Sequence, residues 1–166
     1  MIRILTAGGT IQDIDYEKYG NHSGNLNKFS IEDFLKSANV SFKYTIENIF
    51  KKDSRFITLD DRNYLVERIK VCKSKQILIT HGTFTMEDTA AHIGKLNLNK
   101  TIVLTGSFIL GSSQNTDAPF NLGYAVCSLQ FLKPDVYVAM NGRIFHWSNV
   151  TKNLETNKFE RKDEKQ

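Results

Sequence analysis

The chain has few of the residues that mark whole classes of protein. It contains 2 cysteines, in no Cys-x-x-Cys pattern, and 2 prolines among 166 residues, which excludes a disulfide-rich scaffold and a collagen-like or proline-rich chain. No apolar run approaches the roughly 20 residues that a membrane-spanning helix needs, and no charged and then apolar leader opens the sequence. We therefore expect a cytoplasmic protein with two reduced thiols and no membrane partner.

Charge of one sign is not concentrated anywhere. The chain has 22 basic and 18 acidic residues and a net charge of +4, yet no run of Lys and Arg is longer than two. A nucleic-acid-binding domain gathers its basic residues on one face or stripe, so this distribution argues against a nucleic-acid partner. The 4 histidines show no metal-ligand spacing, so we expect no metal.

Short apolar runs alternate with helix-like segments. The runs are rich in β-branched residues and occupy residues 2–6, 42–49, 76–80, 101–105 and 135–140, with helical patterns near 30–38, 58–70, 86–93 and 118–131. Apolar runs without polar alternation are typical of strands buried on both faces. The alternation predicts an α/β fold, with a mainly parallel sheet and helices on both faces. We predict a single domain over residues 1–153 and a charged tail over 154–166.

Glycine and hydroxyl residues follow several of these strands. Thr-Ala-Gly-Gly-Thr-Ile occupies residues 6–11, His-Gly-Thr-Phe-Thr occupies 81–85, and Thr-Gly-Ser occupies 105–107. Ligands of open parallel sheets bind beyond the carboxyl ends of the strands, glycine lets the backbone approach a ligand, and a threonine hydroxyl can act as a nucleophile. Each motif alone is also compatible with a tight turn that caps a helix, but two Gly-Thr pairs are more specific.

These segments together resemble the signature motifs of the bacterial-type L-asparaginases, Thr-Gly-Gly-Thr-Ile and His-Gly-Thr-Asp-Thr-Met-Glu-Glu-Thr-Ala. The resemblance continues through Asp-Ser-Arg at 53–55, Asp-Ala-Pro-Phe-Asn-Leu at 117–122, Ala-Met-Asn-Gly at 139–142 and Asn-Val-Thr-Lys-Asn at 149–153. It covers the amino-terminal domain of that family and is similar to a subgroup of short, single-domain members. It implies a flavodoxin- or Rossmann-like fold, hydrolysis of the side-chain amide of L-asparagine or a related small amide, no organic cofactor, and a homodimer or tetramer.

The resemblance also implies roles for individual residues. Thr10 would be the nucleophile, assisted by a tyrosine of the polar segment 11–29, where Tyr16 and Tyr19 are both candidates and Tyr19 is favoured. Thr83 and Lys152 would polarise the hydroxyl or a water, since a lysine with a lowered pKa can act as a base.

Further positions would contact the substrate. They are Gly9, Ser54, Arg55, Gly82, Phe84 and Ser107, with Ser54 on the α-carboxylate. Backbone N–H groups near the two threonines would stabilise an oxyanion. His81 is expected to make local hydrogen bonds and to take no part in catalysis.

Two departures from the family pattern bear on the activity. Phe84 replaces an aspartate that binds the substrate's α-ammonium, so the substrate lacks that group, another carboxylate replaces it, or activity is weak. The carboxy-terminal domain of the two-domain members, which supplies an acidic residue, has no counterpart, and Glu155 and Glu160 are candidates to replace it. The alternative hypothesis is a non-catalytic binding module for a small ligand on the same fold.

Overall fold

A six-stranded sheet forms the centre of the molecule. The computed structural model describes residues 1–14 and 30–164. The strands are β1 (Ile2–Thr6), β2 (Tyr44–Asn48), β3 (Gln76–Thr80), β4 (Thr101–Thr105), β5 (Asp135–Met140), β6 (Arg143–His146), β7 (Thr151–Asn153) and β8 (Lys158–Glu160), and the helices are α1 (Ile31–Ser37), α2 (Leu59–Val71), α3 (Met86–Gly94) and α4 (Ala118–Ser128).

The sheet is parallel except at one edge. Its order is β2-β1-β3-β4-β5-β6, in which neighbours among the first five strands run parallel and β6 returns antiparallel to β5. This order matches the flavodoxin-like arrangement of doubly wound folds. The structure thus confirms the predicted α/β class with a mainly parallel sheet.

Alternation along the strands explains why helices cover both faces. Ile77 and Ile79 of β3 belong to one buried cluster with Leu65 of α2 and Ile93 of α3. Leu78, which lies between the two isoleucines, belongs to a second cluster. That second cluster contains Leu35 of α1 and Leu122 of α4. Successive side chains of a strand point to opposite faces, so a continuous apolar run needs cover on both sides.

Side-chain caps set where two helices begin. The Ser30 side chain accepts a hydrogen bond from the Asp33 backbone N–H at the start of α1. Helix α2 begins with a capping box, in which Thr58 and Asp61 each bond the other's backbone N–H. These bonds satisfy N–H groups that have no partner inside the helix. In the part of the chain that the structure describes, no helix is both long and apolar enough to cross a bilayer.

The segment predicted as a charged tail contributes to the core. Strand β8 pairs with β7 in an antiparallel hairpin, and Phe159 of β8 is only 1% exposed. Its ring centroid lies 6.2 Å from that of Phe108. The division between residues 153 and 154 itself stays a prediction.

Replacing Phe159 by alanine tests whether this hairpin is part of the cooperative fold. Loss of the buried ring should lower the free energy of unfolding by about 3–5 kcal/mol, because it leaves a cavity. Phe131→Ala is the matched control, since Phe131 is 80% exposed and should cost less than about 0.5 kcal/mol. Urea denaturation measures both, and equal midpoints for the two variants would contradict the packing of Phe159.

Candidate active site

Three neighbouring strands end at the same level and deliver their loops to one edge. Thr6 is in register with Thr80, and Thr80 with Thr105. The ladder continues past the strands, because the Ala7 N–H donates to the Thr80 carbonyl at 2.9 Å and the His81 N–H donates to the Thr105 carbonyl at 2.9 Å. The motifs that follow β1, β3 and β4 therefore start side by side.

Glycines allow these loops to touch through their backbones. Gly9 has φ 82°, and a Cβ atom there would lie 2.4 Å from Gly82 Cα. A Cβ atom at Gly82 would lie 2.6 Å from Ser54 Oγ. Only glycine tolerates such approaches without displacing the neighbour, and only glycine readily adopts the conformation of Gly9. Gly9 and Gly82 thus allow the loops after β1 and β3 and the loop that contains Ser54 to meet at one point.

A small cleft opens at this point. It encloses about 190 Å³, counted out to the solvent, and is lined by Gly9, Thr10, Ile14, Asp53, Ser54, Gly82, Thr83 and Phe84. Six of the residues predicted from the sequence are in this lining: Gly9, Thr10, Ser54, Gly82, Thr83 and Phe84. Because this volume includes space open to solvent, it is an upper bound on what the cleft can hold.

Polar groups that line the cleft have unused bonding capacity. Among residues 1–14 and 30–164, the backbone N–H groups of Thr10 and Thr83 have no hydrogen-bond acceptor. Ser54 is 1% exposed, and within the same residues its hydroxyl has no partner either. An unsatisfied buried polar group costs about 1–3 kcal/mol, so a ligand that supplies hydrogen-bond acceptors to these groups would bind favourably.

Lys152, in β7, does not line the cleft itself but contacts Thr83, which does. Its Nζ donates a hydrogen bond of 2.9 Å to Thr83 Oγ1, and its backbone N–H donates to Glu87 Oε2 at 3.1 Å in the first turn of α3. Burial lowers the pKa of Lys152, and the charge of Glu87 partly opposes that effect. A neutral amine is therefore reached at lower pH than for an exposed lysine, which suits a base.

Phe84 sits between two cations at the mouth of the cleft. Lys152 Nζ lies 4.1 Å from the centroid of its ring, and Arg55 Cζ lies 5.3 Å away. Arg55 also pairs with Asp53, with 2.8 Å between Nη2 and Oδ2. Burial alone would raise the pKa of Asp53, but hydrogen bonds from the Arg55 side chain and backbone outweigh it and lower that pKa. The Asp53 carboxylate is thus ionised and already neutralised.

The chain is similar in sequence to proteins of one family. A family model described as the asparaginase amino-terminal domain matches residues 1–162. The chain belongs to the asparaginase family. The named relative "Probable L-asparaginase periplasmic" of Haemophilus influenzae is 31% identical, and the match covers 93% of this chain and 47% of the relative.

Solved structures of asparaginases share the fold. The thermostable L-asparaginase from Thermococcus kodakarensis superposes with a TM-score of 0.82 at 28% identity, over 96% of this chain and 50% of that one. The probable cytoplasmic L-asparaginase from Campylobacter jejuni gives a TM-score of 0.79 at 26% identity, over 98% and 53% of the two chains. The chain thus spans about half the length of the asparaginases that it matches.

Ser107 was predicted as a substrate contact but does not line the cleft. Ser107 is buried at the end of β4, and its hydroxyl donates to the Ile109 carbonyl at 2.7 Å rather than lining the cleft. Tyr16 and Tyr19 both fall outside the described residues. The roles assigned to these residues stay predictions.

The candidate acidic residues of the hairpin do not line the cleft. Glu155 is exposed in the turn between β7 and β8. Glu160 accepts a hydrogen bond of 3.0 Å from Asn153 Nδ2. Neither Glu155 nor Glu160 brings a carboxylate to the cleft. The role of these two residues as replacement acids therefore also stays a prediction.

Some residues of the site were not predicted from the sequence as site residues. Glu87 holds the Lys152 backbone, Asp53 fixes Arg55, and the Phe108 ring lies 5.1 Å from Lys152 Nζ. Glu87 and Asp53 lie inside the asparaginase-like motifs, and that position is the only signal that could have identified them. Phe108 carries no such signal. Within the described residues no group of three His, Cys, Asp or Glu side chains could hold a metal ion.

Glu87 should set the proton affinity of Lys152. Because its charge opposes the effect of burial, Glu87→Gln should lower the pKa of Lys152 further below 10.5. Asp88→Asn is the matched control, since Asp88 is the exposed neighbour of Glu87 in α3. NMR titration of the Lys152 Nζ signal measures the pKa in each variant. A fall of similar size in both variants would contradict the specific role of Glu87.

Proposed function

We propose that this protein hydrolyses the side-chain amide of L-asparagine, or of a related small amide, to the acid and ammonia. The observation that carries the proposal is the hydrogen bond between Lys152 Nζ and Thr83 Oγ1 at a cleft that Thr10 also lines. A hydroxyl paired with a lysine of lowered pKa and a second hydroxyl in one cleft suit nucleophilic catalysis. The names of the relatives support the same class of substrate.

In the first step Thr10 Oγ attacks the carbon of the amide. The new bond joins Thr10 Oγ to that carbon, the carbon–nitrogen bond breaks, and the proton of the hydroxyl leaves with the nitrogen as ammonia. A tyrosine of the segment 11–29, Tyr19 in preference to Tyr16, assists the transfer. The product of this step is an ester between Thr10 and the substrate's acyl group.

In the second step water breaks that ester. Thr83 and Lys152 polarise the water: the neutral amine accepts a proton through the Thr83 hydroxyl, with which it is already in contact at 2.9 Å. The water oxygen bonds to the acyl carbon, the ester bond to Thr10 breaks, and a proton returns to the Thr10 hydroxyl. One water is consumed for each amide, and the enzyme is regenerated.

The remaining groups of the cleft hold the substrate and the charge that develops. The N–H groups of Thr10 and Thr83, which have no acceptor within the described residues, donate to the oxyanion of both steps. Removing one donor of this kind from an enzyme costs about 10²–10³ in kcat. The buried hydroxyl of Ser54 binds the substrate's carboxylate, and Arg55 adds positive charge at the mouth.

Ammonia release from a panel of amides tests the proposal. Wild type should release ammonia from L-asparagine, or from succinamate, which is asparagine without its α-amine. Thr10→Ala and Thr83→Val should each reduce kcat at least about 10³-fold, because each removes a hydroxyl that reacts or relays a proton. Thr156→Val, at an exposed threonine of the turn between β7 and β8, is the control and should keep the wild-type rate.

The same panel separates the enzyme from a binding module. If wild type and Thr10→Ala gave equal background on every amide while L-aspartate still bound, the protein would be a non-catalytic module for a small ligand. If ligand binding were absent as well, the assignment of the cleft would fail.

A second candidate substrate is an amide that carries a carboxylate but no α-ammonium. Phe84 offers no hydrogen-bond acceptor, and its ring already faces the cations of Lys152 and Arg55. The carboxylate of Asp53 is engaged by Arg55. An ammonium group beside Phe84 would meet the Arg55 guanidinium and would find no uncommitted carboxylate among the residues that line the cleft. These contacts favour succinamate over L-asparagine.

Phe84→Asp tests that preference. The new carboxylate would supply an acceptor, and a hydrogen bond to a charged group contributes about 1.5–3 kcal/mol. The ratio of kcat/KM for L-asparagine to that for succinamate should therefore rise about 10–100-fold. Phe84→Asn, which adds polar atoms without charge, is the control. An unchanged ratio in Phe84→Asp would show that Phe84 does not set the choice.

The location and assembly of the protein are also proposals. We propose that the protein is cytoplasmic. One matched relative is named as cytoplasmic, and another is named as periplasmic. A homodimer or homotetramer is proposed from the asparaginase resemblance. Neither nucleic acid nor membrane is proposed as a partner.

A further inference from the structure

A buried histidine lies directly behind the cleft and takes no part in the proposed steps. His81 follows β3, is 0% exposed and is absent from the lining of the cleft. Both of its ring nitrogens are engaged. Nδ1 lies 2.8 Å from the Gly82 carbonyl oxygen, and Nε2 lies 3.0 Å from Thr89 Oγ1 in α3.

The partners fix where the protons of this network lie. A carbonyl oxygen can only accept, so Nδ1 carries the hydrogen and donates it to Gly82. Arg62 Nε donates to Thr89 Oγ1 at 3.1 Å, and the Thr89 hydroxyl is then free to donate its own hydrogen to Nε2. Each group thus donates to the next, from Arg62 to Thr89, from Thr89 to His81 and from His81 to the Gly82 carbonyl. The imidazole in this arrangement is neutral.

Burial supports the neutral form. It lowers the pKa of His81 to about 4, with a smaller contribution in the same direction from the charge of Arg62. At neutral pH the ring is therefore a fixed donor at Nδ1, and it is neither an acid nor a base for the reaction.

The bond to the Gly82 carbonyl determines the direction of the next N–H group. A peptide unit is planar and trans, so its C=O and N–H point in opposite directions. Because the Gly82 carbonyl points at His81, the N–H of Thr83 points away from His81. Both Gly82 and Thr83 line the cleft. That N–H has no acceptor within residues 1–14 and 30–164.

The contacts of Gly82 make this orientation important. Its backbone packs against Gly9 on one side and the Ser54 side chain on the other. Rotation of the Gly82–Thr83 peptide would carry a carbonyl oxygen toward the cleft in place of an N–H donor. An acceptor in that place would repel an anionic oxygen instead of stabilising it.

We propose that His81 is a positioning residue, whose Nδ1–H locks the Gly82–Thr83 peptide so that the Thr83 N–H serves the cleft as a donor to an anionic oxygen. The proposal rests on the proposed function for its catalytic consequence, because the oxygen is the oxyanion of the amide reaction. The lock itself is a property of the folded chain and can be measured without turnover.

Three substitutions of His81 separate the lock from simple packing. His81→Asn places an amide N–H where Nδ1 was and can still donate to the Gly82 carbonyl. His81→Gln places its amide at the position of Nε2 and cannot donate there in the same way. His81→Phe keeps the ring and removes both nitrogens. A purely structural role would make the two amide variants similar.

The kinetic experiment compares these variants with wild type on the panel of amides. His81→Phe and His81→Gln should lower kcat by about 10²–10³, the cost of losing one oxyanion donor, with KM changed less than about threefold. His81→Asn should stay within about tenfold of the wild-type kcat. If His81→Phe does not fold, as judged by circular dichroism, the kcat values of His81→Asn and His81→Gln still test the proposal. Equal kcat in His81→Asn and His81→Gln would overturn the proposal.

The second experiment needs no turnover. In ¹H–¹⁵N NMR spectra, addition of succinate, the product that lacks an α-ammonium, should shift the Thr83 amide signal of wild type and His81→Asn. That shift should be absent in His81→Gln. A protonated Nδ1 should also be seen directly in the imidazole spectrum of wild type at neutral pH. A deprotonated Nδ1, or the same Thr83 shift in all variants, would overturn the lock.

The two experiments keep the proposals apart. If wild type releases no ammonia from any amide, the proposed function fails, and the Thr83 shifts alone decide whether His81 orients that N–H. If wild type is active and the two amide variants of His81 are equal, the proposed function stands and the role of His81 fails.

Discussion

The register of three parallel strands is the constraint on which the site depends. Thr6, Thr80 and Thr105 end β1, β3 and β4 at one level, and backbone hydrogen bonds extend the ladder one residue further. This alignment makes the loops after the strands neighbours, although they are distant in sequence. A shift of one residue would also exchange the faces of every side chain, so the buried clusters on the two faces of the sheet stabilise the register that the cleft requires.

Close backbone packing converts those neighbouring loops into a cleft. Gly9 and Gly82 leave no room for a Cβ atom between them, and the Ser54 side chain fills the remaining side. The same packing leaves the Thr10 and Thr83 N–H groups without an acceptor in the described chain. Rigid loops with unused donors are preorganised for a ligand oxygen, because no rearrangement is needed when charge develops.

The electrostatics of the cleft are not symmetric. Lys152 and Arg55 flank the Phe84 ring, while the Asp53 carboxylate is bound by Arg55 and the Glu87 carboxylate by the Lys152 backbone. The nearby carboxylates are thus already engaged, and the two basic side chains lie beside Phe84. The hydroxyls and N–H donors of the cleft fit the asparaginase family to which the chain belongs. Phe84 is the residue that we propose changes the preferred amide.

The sequence by itself determined the α/β class, the positions of five strands and four helices, and the family. Apolar runs, caps such as Thr58, and motifs at residues 6–11 and 81–90 are local features, and local features are set by the chain's own periodicity and chemistry. Only the tertiary structure decided that Phe159 is buried, that Ser107 bonds its own loop, and that Glu87 accepts from the Lys152 backbone while His81 contacts the Gly82 carbonyl. Those outcomes depend on contacts between residues far apart in the chain, and no local pattern specifies the distance or direction of such a contact.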